Sequence, residues 1–170
     1  DVTYDGKKLL CKGDMDWENY VDLKESWKVD QIFAEAQRNG VYLKTLISEK
    51  QDTTLGSIFA NGSTQPDAIP SDNNFYAADA NHPSRWLQQA WWRYASARWG
   101  AYTSLHSFEL INEGDPFNGN HWNAANALGN YVHTNYLARR IMTTTSFWHS
   151  MPMEFWKSSS SDYIDFHEYV

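Results

Sequence analysis

A single cysteine, Cys11, is all the thiol the sequence holds, so no disulfide can form within the chain. A catalytic thiol needs a partnered histidine, and no local signature supplies one, so Cys11 reads as a small half-buried residue. Glycine and proline are sparse, at 9 and 5 of 170 residues, which excludes collagen-like and low-complexity classes. Basic residues are outnumbered 14 to 21, for a net charge of −7, which argues against nucleic acid or an anionic membrane as the main partner. Apolar runs are too short to cross a bilayer. The start, Asp1–Asp5, is polar and acidic and carries no signal peptide, as would also be true of a mature or excised chain.

What is abundant is aromatic surface. Aromatic residues make up 16% of the chain, with 9 Trp and 10 Tyr, and 42% of residues are hydrophobic. That is enough for one domain with a real core. Trp and Tyr join a flat apolar face to a polar edge, which matches the C–H faces and hydroxyl rim of a sugar. Core packing is the plainer use of any one of them. Trp91-Trp92 reads as half core and half surface. Trp17, Trp122 and Trp148 fall in loops or at element starts and are better placed as sugar platforms.

Periodicity predicts an irregular entry over Asp1–Asn19 and then a helix over Asp22–Asn39. Its apolar stripe is Val29, Ile32, Phe33 and Ala36, and Gly40 is the stop. Val41–Ile47 reads as a strand. Glu49–His82 is a polar stretch too long for an ordinary connection, of the kind that is functional or disordered. Pro83 opens a helix running through Ser84–Trp99, and Gly100 ends it. Ser104–Ile111 is a second strand, Trp122–Ala138 a helix, Arg140–Thr145 a third strand, Pro152–Lys157 a short helix and Tyr163–Val170 a fourth strand. Alternating strands and helices predict an α/β fold with a parallel sheet. Periodicity does not separate a barrel from an open sheet. The glycine fingerprint of a nucleotide binder is missing.

Three strand ends carry chemistry. Phe108-Glu109-Leu110-Ile111 runs into Asn112-Glu113 just before a turn. Glycosidic bond cleavage needs one carboxylic acid to protonate the leaving oxygen and a second carboxylate across the sugar. Glu113 is placed to be that acid, and Asn112 to bind a neighbouring hydroxyl. Taken alone, an Asn-Glu pair reads first as a surface turn. In Asp165-Phe166-His167-Glu168-Tyr169, alternation sets Asp165, His167 and Tyr169 on one side and Phe166 and Glu168 on the other. His167 is either a site residue or a hydrogen-bonded packing residue. Thr143–Thr145 leads through Ser146 and Phe147 to Trp148 and His149, where a site loop would start.

These pieces, in this order, resemble the clan A glycoside hydrolases, particularly the cellulase- and mannanase-like families. Arg93-Tyr94-Ala95-Ser96-Ala97-Arg98-Trp99-Gly100 is similar to a family helix of the form RY-x-x-ARWG. Phe108-Glu109-Leu110-Ile111-Asn112-Glu113 is similar to the fourth barrel strand, W-E-L-x-N-E, with Phe108 in place of the usual Trp. Thr143–Phe147 resembles strand five, and His167-Glu168-Tyr169 the H-x-Y end of strand six. The resemblance covers about residues 22–170.

It implies a (β/α)8 barrel of which the chain supplies strands three to six within one domain, 1–170. It implies a retaining enzyme acting on β-linked polysaccharides or oligosaccharides, with Glu113 as general acid/base. Asn112, His167, Tyr169, Trp148, His149 and Trp122 become substrate-binding candidates. The nucleophilic Glu would end strand seven, beyond Val170, so the segment alone would lack half of its catalytic pair. An extracellular or periplasmic setting fits such a substrate. The alternative is a non-catalytic carbohydrate-binding or structural protein on the same scaffold.

Neither metal nor cofactor is expected. Asp14, Asp16 and Glu18 lack the spacing of a calcium loop, and the six histidines lack zinc spacing. Asn61-Gly62-Ser63 is a glycosylation sequon only in a eukaryotic secreted protein. No G-x-S-x-G elbow supports a serine hydrolase.

Overall fold

A computed structural model describes residues 3–4, 7–8, 23–46, 76, 81–114, 119–135, 140–148 and 151–169. Cys11, Trp17, His149, the acidic turn at 14–18, the sequon at 61–63 and most of the 49–82 stretch lie outside them. The first two strands, β1 (Thr3–Tyr4) and β2 (Lys7–Lys8), form a short antiparallel pair where the sequence suggests an irregular entry. Two-residue strands carry too little pattern for periodicity to register.

Helix α1 (Leu23–Arg38) buries Phe33 and Ala36. It stops at Gly40, whose φ of 66° is the left-handed conformation that glycine adopts without a Cβ clash. There the backbone turns back, with Val41 N–H donating to Ala36 O at 2.9 Å. β3 (Leu43–Leu46) follows. Helix α2 (Pro83–Trp99) starts behind His82, whose Nδ1 accepts from Ser84 N–H at 3.2 Å. β4 (Leu105–Glu109), α3 (Gly119–Thr134), β5 (Met142–Thr144) and α4 (Met153–Ser158) complete the order. No helix among the described residues is long and apolar enough to cross a membrane.

The three strands make one parallel sheet in the order β3-β4-β5, so the fold is mixed α/β with strands alternating with helices. Alternation along β4 divides the sheet into two unlike faces. Phe108 is wholly buried and tilts onto Trp92 of α2, with ring centroids 4.7 Å apart. Both Trp91 and Trp92 are buried, so the tryptophan pair belongs to the core rather than half to the surface. Leu110, Leu128, Val132, Phe147 and Phe155 extend that core. Deleting the Trp92 ring would open a cavity costing about 3–5 kcal/mol. The other face presents Lys44, Ser107 and Glu109 and is bound by polar contacts.

Two helices are locked together by the motif that carries the family resemblance. Arg98 of α2 forms a two-pronged contact with Asp30 of α1, Nε to Oδ1 at 2.8 Å and Nη2 to Oδ2 at 2.7 Å. Trp99 Nε1 donates to the same carboxylate at 2.8 Å.

Several boundaries depart from the sequence reading. α3 begins at Gly119 rather than Trp122. β4 and β5 are shorter at both ends than Ser104–Ile111 and Arg140–Thr145. Residues 163–168 alternate in burial as expected, but Tyr169 is exposed like Glu168 before it, and the described part, 163–169, forms no strand. It joins the sheet through a single parallel bridge, Trp148 to His167. Side chains do the joining instead. Thr144 Oγ1 donates to Tyr163 O at 3.0 Å, and Thr143 N–H donates to Asp162 Oδ2 at 2.6 Å.

Candidate active site

The C-terminal end of β4 turns sharply at Glu113, the one non-glycine residue with positive φ among the described residues, at 47°. A residue with a Cβ pays roughly 1–2 kcal/mol for that conformation, so its surroundings must impose it. Several contacts do. Glu113 N–H donates to Ser146 Oγ at 2.9 Å. Gly114 N–H donates to Ser146 O at 3.1 Å, and Trp148 N–H to Gly114 O at 3.1 Å. Gly114 is essential to the turn: a Cβ there would fall 1.5 Å from Nδ1 of the wholly buried His121. His121 is itself fixed by Thr145 Oγ1 at 3.1 Å from Nε2 and by Phe147, with ring centroids 4.6 Å apart.

The Glu113 side chain meets His167. Nδ1 of the ring lies 3.0 Å from Glu113 Oε1, and both side chains are about a quarter exposed. With the carboxylate ionised, Nδ1 must carry the proton of this contact. Asn112, half-buried beside Glu113, places Oδ1 3.4 Å from Ser146 Oγ.

Beneath this pair lies a charged group. Lys44 Nζ stands 2.8 Å from Glu109 Oε2 and 2.5 Å from Asp165 Oδ2. Burial pulls the lysine pKa down, but hydrogen bonds and charge from Asp165 and Glu109 outweigh it, and the net shift is upward. Glu109 Oε1 accepts from Ser146 Oγ at 2.5 Å. Tyr163, whose hydroxyl lies 2.6 Å from Ser107 Oγ, is pushed up chiefly by burial.

Glu109, Asp165 and His167 could by spacing alone hold a cation, since one ligand atom from each lies within 4.8 Å of the others. Lys44 already brings positive charge to the two carboxylates, and a metal would have to displace it.

The structure thus brings together Glu113, Asn112 and His167, with Trp148 bridged to His167 and half exposed at 51%. Tyr169 is exposed two residues beyond His167. Trp122 instead packs against Phe155, ring centroids 5.8 Å apart, at the partly buried edge of the core. Sequence reasoning missed Lys44, Glu109 and Ser146. A charged residue inside a short strand was the available signal for Lys44 and for Glu109, the latter flanked by Phe108 and Leu110. Ser146 carried none.

No family model, no curated protein and no solved structure matches the chain.

Proposed function

We propose that this chain is part of the catalytic (β/α)8 barrel of a retaining β-glycoside hydrolase, with Glu113 as general acid/base. The observation that carries the reading is the Glu113–His167 contact at the C-terminal end of a parallel strand. In barrels of this kind, catalytic groups occupy that end and the loops that follow it. The family resemblance names the same two residues, Glu113 and His167.

In this reading the Glu113 carboxylic acid gives its proton to the glycosidic oxygen as the C–O bond breaks. The sugar carbon is taken by the second carboxylate, about 5–5.5 Å from the first in retaining enzymes. The Glu113 carboxylate then removes a proton from the attacking water. Asn112 binds a hydroxyl beside the reacting carbon, and the exposed Trp148 and Tyr169 rings offer stacking surface to the sugar. The test is Glu113→Gln in the full-length protein with an unactivated β-glycoside. Undiminished turnover sinks the assignment.

The two other carboxylates of the network, Glu109 and Asp165, are both paired with Lys44, so in this reading the nucleophile comes from a later strand. The alternative is a sugar-binding protein on the same scaffold. A glutamate at the end of a later strand decides between the two.

A further inference from the structure

Ser146 and Glu109 play no part in the chemistry just described, yet they complete a nearly closed circuit around Glu113. From the Glu113 amide the path runs to Ser146 Oγ at 2.9 Å, then to Glu109 Oε1 at 2.5 Å. From Glu109 Oε2 it passes to Lys44 Nζ at 2.8 Å, and from there to Asp165 Oδ2 at 2.5 Å. Asp165 Oδ1 lies 3.9 Å from His167 Nε2, an electrostatic contact rather than a hydrogen bond. His167 Nδ1 returns to the Glu113 carboxylate at 3.0 Å. One residue is therefore held at both its backbone and its side chain by one charge network.

We propose that Ser146 is the positioning residue that fixes Glu113 in its left-handed conformation, with the Lys44–Glu109 ion pair fixing Ser146 in turn. The proposal rests on the acid/base role of Glu113. A serine hydroxyl has one proton and two lone pairs. Glu109 Oε1, charged and close, takes the proton, while Asn112 Oδ1 at 3.4 Å competes poorly. The lone pairs are then oriented to accept the Glu113 N–H. Glu109 is 2% exposed and Ser146 wholly buried, so water does not compete for either group. Lys44 Nζ, 2.8 Å from Glu109 Oε2, holds that carboxylate in place and so fixes the acceptor toward which the hydroxyl points. Without Ser146 Oγ the Glu113 amide loses its partner, and a strained φ of 47° loses one of the contacts that impose it.

The experiment uses Ser146→Ala and Ser146→Thr in the full-length protein, with two readouts. One is NMR of the Glu113 amide and of the His167 ring nitrogens, which reports whether Nδ1 still meets the carboxylate. The other is kcat and KM for a β-glycoside with a poor leaving group and for one with an activated aryl leaving group.

Ser146→Ala is expected to deprotect the Glu113 amide and shift the His167 Nδ1 signal. It is expected to lower kcat for the poor leaving group about 100-fold, the scale of a 1 Å misplacement, with KM little changed. The activated substrate, which needs less acid assistance, loses much less. Ser146→Thr, which keeps the hydroxyl, restores both readouts. Should Ser146→Ala fail to fold, Glu109→Gln serves instead and is expected to shift the same signals in the same direction. Unchanged NMR signals with an unchanged ratio of the two kcat values overturn the proposal. If the parent cleaves no glycoside but Ser146→Ala still moves both NMR signals, the positioning role stands and the hydrolase reading falls.

Discussion

His167 Nδ1 sits 3.0 Å from Glu113 Oε1, although 54 positions separate the two residues in the chain. The contact spans the sheet from the turn after β4 to the segment that follows α4. It exists because Trp148 and His167 bridge in parallel register and because Ser146 draws the Glu113 turn toward β5. Charge, burial and backbone strain meet at this one point, and the predictions below probe its supports one at a time.

Gly114→Ala tests the turn. Its Cβ would land 1.5 Å from the His121 ring, which is buried and held by Thr145 and Phe147. The ring has no room to retreat. We expect a loss of at least about 3 kcal/mol, the upper range for overpacking a core. Urea denaturation measures it, and a variant as stable as the parent would show that the ring is not where the structure has it.

Lys44→Met tests the ion network. It leaves the Glu109 carboxylate buried with its cation removed. We expect a loss of about 2–3 kcal/mol, somewhat less than for a wholly buried pair because Lys44 stays about a third exposed. Lys44→Met combined with Glu109→Gln should recover part of that loss, since the charge left behind is gone. A double variant no more stable than Lys44→Met would mean the network is not where the cost arises.

The Asp30–Arg98 clamp gives a pH dependence. Arg98 holds the Asp30 carboxyl below its ordinary value, with Trp99 assisting against the opposing effect of burial. A depressed folded-state pKa contributes stability that is fully present above the unfolded value, about 3.9, and is lost as pH falls through the folded value. The parent and Asp30→Asn should therefore differ in stability at pH 7 and converge in strong acid. Thermal melts across pH 2–7 check this. A difference that stays constant to the lowest pH contradicts it.

Much of the scaffold was legible in the sequence because its signals are local. Gly40 ends α1 and Pro83 opens α2 where their backbone preferences suit, and Gly100 follows α2 in ordinary right-handed backbone. The polar and apolar alternation of β4 survives as two unlike faces. The start of α3 was not legible, because Gly119-Asn120 carries the composition of a turn while the helix is set by the core contacts of Ala124, Ala125 and Leu128. Tyr163–Val170 misled for a related reason. Alternation there reflects side chains reaching to Ser107 and Lys44, not a strand ladder. Glu113 and His167 could be named from strand ends and motif order. Ser146 could not, since its partner Glu109 is 37 positions away and only the register of β4 against β5 brings them together.

The most direct test of the hydrolase reading is Glu113→Gln in the full-length protein, assayed on two β-glycosides that differ only in leaving group. General acid assistance contributes about 100- to 10,000-fold to a step that needs it. The account predicts a fall in that range for the unactivated substrate and a much smaller fall for the activated one. Equal turnover of the unactivated substrate by parent and variant would contradict it.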